Sequence, residues 1–201
     1  MGYTHSWIRP KEIAPAAFSN IVADFNQVLP YLGEAGVRLA DGHGEGEPRI
    51  NEDEVWFNGL EKCGHPSRDL GITWPAKDAR GVSPPNPKAP LAQVVGEWFA
   101  GALLGSRTCG GDCSHETLYF PRVLKPSDWQ KPENGGYFDF CKTAYKPYDL
   151  AVTAFLVIAK HHLGEKLIVS SDSNGLEQWQ DAIRLCQAVL GYGEKFRLRA
   201  E

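Results

Sequence analysis

The chain has 201 residues, 42% of them hydrophobic and 23% charged. This is the balance of one soluble globular domain and not of a disordered or fibrous chain. A formal net charge of −4 and a pI near 5.9 exclude a broad basic footprint for non-specific nucleic-acid binding, while leaving room for a local basic pocket. The longest strongly apolar run, Leu150 to Ala159, is half of the roughly 20 residues a membrane span requires, so no membrane segment is expected.

Gly2 to Ile8 alternates, with Tyr3, His5 and Trp7 against Thr4, Ser6 and Ile8, and reads as a short strand. A helix follows from about Pro15 to Leu29. Its apolar stripe is Phe18, Ile21, Val22, Phe25, Val28 and Leu29, Pro15 suits its first turn, and Pro30 and Gly33 end it or bend its last turn. Val37–Leu39 and Glu54–Asn58 read as strands around a Gly-rich loop. Residues Leu60 to Ser114 form a long, loop-rich insertion with one helix expected at Leu91–Leu104; a region of that length and little regularity usually carries function or a metal. Thr117–Val123 and Tyr137–Lys142 are further strands. Tyr148–Leu163 is a helix apolar almost all round and therefore buried on several sides. Lys166–Ser170 is a strand, and Leu176, Trp179, Ile183, Cys186 and Leu190 mark a last amphipathic helix that Gly191 terminates. The expected fold is a single domain over 1–201, α/β or α+β. A mixed sheet is covered by about three main helices, and the 60–114 insertion lies over one end.

The five cysteines, Cys63, Cys109, Cys113, Cys141 and Cys186, are an odd number without an apparent signal sequence. They read as reduced thiols or metal ligands and not as a disulfide framework. Cys63-Gly-His65 and Cys109-Gly-Gly-Asp-Cys113 supply three sulfurs and one imidazole at short spacings, the donor set of a closed structural zinc site that would pin the insertion. The alternatives are packed free thiols with an exposed His65, or a Cys109–Cys113 disulfide.

Cys141-Lys142-Thr143-Ala144-Tyr145-Lys146-Pro147-Tyr148-Asp149 ends a strand and opens a helix. Such a turn presents backbone N–H groups to an anion, and here Lys142 and Lys146 add charge, Thr143 adds a hydroxyl, and Tyr145 or Tyr148 can stack on a base. The P-loop glycines are absent. The plainer alternative is that Pro147 and Asp149 only start the helix. Ser170-Ser171-Asp172 reads as a polar rim at a strand end or as a turn. His5, His115, Glu116 and Arg122 form a third set, in which a histidine and the Glu116 carboxylate could trade protons near neutral pH. Only His115 has a hydroxyl residue, Thr117, at the spacing of paired-histidine phosphoesterases. His161-His162 reads as a cationic helix end.

Several phrases together resemble a family of uncharacterised phage and bacterial proteins: MGYTHSW at the start, FNG at Phe57–Gly59, HET at His115–Thr117, FCKTAYKPYD at Phe140–Asp149 and SSD at Ser170–Asp172. The set is similar to the group named after a small early protein of T4-like phage. In shorter relatives FNG passes to HET within a few residues, which makes 60–114 an elaboration on a smaller core. Ser6 stands where an aromatic residue is usual, and Tyr145 where a basic one is usual, which removes a positive charge from the candidate site. The resemblance implies no reaction; it adds a setting of phage–host conflict in the bacterial cytoplasm.

Together these readings lead to a cytosolic binding protein for a small anionic ligand, most naturally a nucleotide or nucleotide-derived signal. Lys142, Thr143, Tyr145, Lys146, Tyr148, Ser170, Ser171, Asp172 and Arg122 would contact it. The alternatives are a phosphoesterase or nucleotide hydrolase using His5 or His115 with Glu116, and a zinc-stabilised module for a protein partner or a second copy of the chain.

Overall fold

The structure, a computed structural model, describes residues 3–64, 107, 109, 111–172 and 175–199. The element order is β1 (Thr4–Arg9), α1 (Pro15–Glu34), β2 (Leu39–Ala40), β3 (Arg49–Ile50), β4 (Glu54–Gly59), β5 (Leu118–Pro121), β6 (Pro132–Glu133), β7 (Gly136–Lys142), α2 (Asp149–Leu163), β8 (Ile168–Ser171) and α3 (Gln180–Leu190). The class is α+β. The strands divide between two sheets. One has the order β6-β7-β1-β8; in the other β4 pairs with β2, β3 and β5. Every described ladder is antiparallel.

The departures from the expected elements have local causes. Helix α1 runs through Pro30 to Glu34. Burial of Leu32 continues its stripe, and Gly36, at φ 89°, ends it, a conformation that costs glycine little. Lys166 lies in a 3-10 turn over Gly164–Lys166 and not in a strand. Leu176 precedes a second such turn, Glu177–Trp179, and α3 starts only at Gln180. The two-residue strands β3 and β6 are too short for any periodicity to announce them. The helix expected at Leu91–Leu104 lies outside the described residues.

Helix α2 is the centre of the core. Leu150, Val152, Phe155, Leu156 and Ile158 are all buried, each worth roughly 1.5–3 kcal/mol of apolar burial. Phe155 meets Phe25 of α1 edge-on at 5.3 Å and Phe120 of β5 at 5.0 Å, and Phe25 stacks on Phe57 of β4 at 5.6 Å. These rings join the β4–β5 sheet to α1 and α2. Within α2 the buried Thr153 hydroxyl donates back to the Asp149 carbonyl at 2.8 Å, which satisfies it. No described helix is long and apolar enough to cross a membrane.

The alternation of β1 sends His5, Trp7 and Arg9 to the buried face. Trp7 meets Phe120. Arg9 lays its guanidinium 4.3 Å over the same ring and donates to the Pro121 and Arg122 carbonyls. Burial lowers its pKa to about 10. A charged strand residue is thus tolerated because backbone acceptors and an aromatic face surround it.

Candidate functional site

Strand β1 lies between β7 and β8, so His5 has Cys141 on one side and Ser171 on the other. The buried face of β1 points at the first residue of α2. His5 Nε2 lies 2.8 Å from Asp149 Oδ1, and both side chains are 0% exposed. Thr143, just past β7, donates its hydroxyl to the same Oδ1 at 2.6 Å. On the other side Arg107 Nε lies 3.6 Å from Asp149 Oδ2 and its Nη1 donates to Asp181 Oδ2 at 3.1 Å. The guanidinium also stands 4.9 Å over the Tyr145 ring. An edge of Trp179 closes on the His5 ring at 4.8 Å.

Burial alone would push the Asp149 carboxyl up. The His5 ring, Arg107 and the Thr143 hydroxyl outweigh it, and the group sits below the ordinary carboxylate range. As an ionised carboxylate Asp149 only accepts hydrogen bonds, so His5 Nε2 carries a proton. In the neutral ring Nδ1 is then an acceptor. Ser171 Oγ is 3.1 Å from Nδ1 and 3.1 Å from the Tyr3 hydroxyl. Ser171 Oγ thus donates to the Tyr3 hydroxyl and lies within hydrogen-bond distance of His5 Nδ1, and His5 Nε2 reaches Asp149, with Thr143 and Arg107 holding the far end. A hydroxyl, an imidazole and a buried carboxylate in this order match by role the serine–histidine–aspartate relay of hydrolases, with the two ring nitrogens exchanged.

Of the residues singled out in the sequence, Thr143, Tyr145, Ser171 and Asp172 come together around His5. Asp172 accepts from the Thr4 N–H at 2.9 Å, and Ser170 pairs with Ser6 in the ladder. Tyr145 meets Tyr3 edge-on at 5.1 Å. The opening, FCKTA-type and SSD phrases each contribute to this one centre. The FNG and HET phrases also meet, since the Asn58 side chain bonds both the N–H and the carbonyl of His115, at 3.0 and 2.9 Å.

A second group gathers beside it. Lys142 lies 3.6 Å from Glu116, and Lys146 lies 3.3 Å from Asp112 and donates to the Ser114 carbonyl. His115 Nδ1 is 2.8 Å from the Lys142 carbonyl, and Tyr148 donates to the Glu116 carbonyl at 2.7 Å. No hydrogen bond or ring contact joins His115 to His5 among the described residues. The strand-to-helix turn has spent its donors internally. Thr143 and Ala144 N–H bond the Tyr3 carbonyl at 2.8 and 3.3 Å, and Lys146 N–H bonds the Thr143 carbonyl at 3.0 Å. Tyr145 N–H bonds the Thr143 hydroxyl. An anion bound to these N–H groups would have to displace these bonds. Ala144 and Tyr145 hold φ of 50° and 56°, a conformation that costs non-glycine residues energy and persists only where the surroundings enforce it.

Arg122 does not belong with this set. It pairs with Glu12 at 3.7 Å and sits at the Arg9 end of β1, about 13 Å along the strand from His5 at ~3.3 Å per residue. His161 and His162 also do more than cap α2. His162 Nε2 lies 2.7 Å from Asp24, Tyr192 donates to Asp24 at 2.6 Å, and His161 stacks on Tyr192 at 3.6 Å.

The Cys63, Cys109 and Cys113 sulfurs lie within 4.8 Å of one another, all buried, with Cys63–Cys109 at 3.6 Å and Cys109–Cys113 at 3.5 Å. These separations are too long for the ~2.05 Å disulfide bond, and all five cysteines are free thiols. Desolvation raises the Cys109 and Cys113 thiols above their ordinary range. The cluster could hold a metal ion. His65, the expected fourth ligand, lies outside the described residues.

Asp149, Arg107, Asp181 and Tyr3 were not apparent as site residues in the sequence. Asp149 had a signal, being the one acid in the helix and the neighbour of a long apolar run, but a helix-starting role accounts for an acid at that position equally well. No protein-family model, curated protein or solved structure matches the chain.

Proposed function

We propose that the protein is a serine-dependent hydrolase of small carboxylic esters or thioesters. The observation that carries this reading is the hydrogen-bonded series Ser171–His5–Asp149, with a partly exposed hydroxyl at one end and a fully buried carboxylate at the other. Ser171 Oγ attacks the carbonyl carbon while its proton passes to His5 Nδ1. Asp149 holds the resulting imidazolium, and the Tyr3 hydroxyl, 3.1 Å from Ser171 Oγ, supports the developing oxyanion. His5 then protonates the leaving alkoxide or thiolate, and water cleaves the acyl-serine by the same steps reversed. Asp149, Thr143 and Arg107 are positioning residues.

An acyl group fits better than a phosphoryl group. Phosphoryl transfer needs cations free to meet the charge that builds on the phosphate oxygens. Arg107 lies between Asp149 and Asp181, and Lys142 and Lys146 face Glu116 and Asp112.

A panel of short chromogenic esters and thioesters tests the reading. Turnover by the wild type, abolished in Ser171→Ala and reduced in Tyr3→Phe, supports it. Equal rates in wild type and Ser171→Ala overturn it. The second reading, a binding protein for a small anionic ligand such as a nucleotide, draws on the convergence of Tyr3, Tyr145, Ser171 and Asp172 at one rim. In that case a nucleotide is retained and returns unchanged after incubation. Three further parts belong to the same proposal. Zinc is the metal of the cysteine cluster, the chain works in a reducing cytoplasm, and it belongs to the phage and bacterial family that its motifs resemble.

A further inference from the structure

We propose that Cys63, Cys109 and Cys113 supply three sulfur ligands to a structural zinc ion, and that this ion docks Arg107 between Asp149 and Asp181. The cluster is built as a ligand loop. Gly111, at φ 90°, turns the chain so that Cys109 and Cys113 present their sulfurs to one point, and its backbone N–H hydrogen-bonds Cys109, as second-shell donors do for metal thiolates. Cys63 arrives from the end of β4. The two strands of the loop are locked together there. Cys113 N–H bonds the Leu60 carbonyl at 3.1 Å, and Gly59 approaches the Cys113 carbonyl so closely that an added Cβ would lie 1.9 Å from that oxygen. Tetrahedral zinc with bonds of ~2.3 Å separates its sulfurs by roughly 3.8 Å, so the observed 3.5 and 3.6 Å need only small adjustments to admit the ion.

The consequence reaches the centre at His5. Arg107 stands two residues before Cys109, and its guanidinium, 1% exposed, faces both the Asp149 and the Asp181 carboxylates. Without the ion Arg107 loses this nearby anchor, and its ion pairs with two buried carboxylates weaken, which is unfavourable. By linkage, a metal that favours docking of Arg107 must bind more weakly when the docked arrangement is damaged. The metal site stands independently of ester turnover; its link to His5 deepens that reading, and the test reads metal alone.

The full-length protein is purified without chelator, its zinc content is measured, and zinc affinity is taken by competition with a chromogenic chelator. Cobalt substitution reports the thiolates. One zinc per chain is expected, with a thiolate-to-cobalt absorption band that is weakened in Cys109→Ser and unchanged in Cys141→Ala. Arg107→Met weakens zinc binding at least 10-fold, and Asp181→Asn, which leaves the arginine in place but removes an anchor, serves as the second variant. Absence of both bound zinc and a cobalt–thiolate band overturns the site. Zinc bound with equal affinity in wild type, Arg107→Met and Asp181→Asn overturns the coupling to Arg107.

Discussion

Asp149→Asn removes one negative charge from the middle of the buried network and changes almost nothing in volume. In the wild type the carboxylate accepts from Thr143 at 2.6 Å and from His5 at 2.8 Å, and it faces Arg107 Nε at 3.6 Å. At an effective dielectric near 20, a charge pair at that separation attracts by about 4–5 kcal/mol. Breaking a buried pair by removing one partner typically costs about 3–5 kcal/mol. The two values agree, because Asp181 still holds the other edge of the guanidinium. For a chain of this length the loss corresponds to a fall in Tm of about 6–20 °C. The pH dependence supplies the sign. Asp149 has its folded-state carboxyl held below the ordinary value, so its contribution is fully present above the unfolded pKa of about 4 and is lost as pH falls through the folded one. Thermal melts of both proteins at pH 7 and at acid pH therefore show a wide gap that closes below roughly pH 4. A gap under 1 kcal/mol at pH 7, or one that does not shrink in acid, refutes the placement of a charged Asp149 in this network.

Other substitutions separate buried from solvated polar groups. Thr143→Val deletes a hydrogen bond to a buried carboxylate and destabilises by about 1.5–3 kcal/mol in denaturant titration. Lys142→Ala, at a half-exposed ion pair, shifts the same titration by less than about 0.5 kcal/mol. Gly59→Ala forces the β4 end away from the Cys113 carbonyl and costs about 1–3 kcal/mol as an overpacked contact, read by the same unfolding curve.

The helices were legible because their apolar stripes are long. Phe18, Ile21, Val22, Phe25 and Val28 face the core as their spacing requires, and α2 is as buried as its composition implies. Strand β1 was legible from its alternation. The division into two sheets was not, because pairing partners such as Val55 and Phe120 are far apart in sequence and no local pattern names them. Half of the site was visible. His5, Thr143 and Ser171 stood out by residue type, yet only the β7-β1-β8 order brings them into reach of one another. Asp149 and Arg107 were hidden by context. An acid at a helix start and a basic residue in a loop ordinarily meet water, and nothing local announces that here they meet each other. The bracing of the strand-to-helix turn was not legible either, because the Thr143 and Ala144 N–H groups meet the carbonyl of Tyr3, far away in the sequence.

The most direct test of the central claim is reaction of the full-length protein with a fluorophosphonate, followed by intact mass and peptide mapping. Activation of Ser171 by His5 and Asp149 predicts a single adduct, on Ser171, which is absent in Ser171→Ala and strongly slowed in His5→Gln. A folded protein that takes up no adduct, or one that carries it on another residue, contradicts the account.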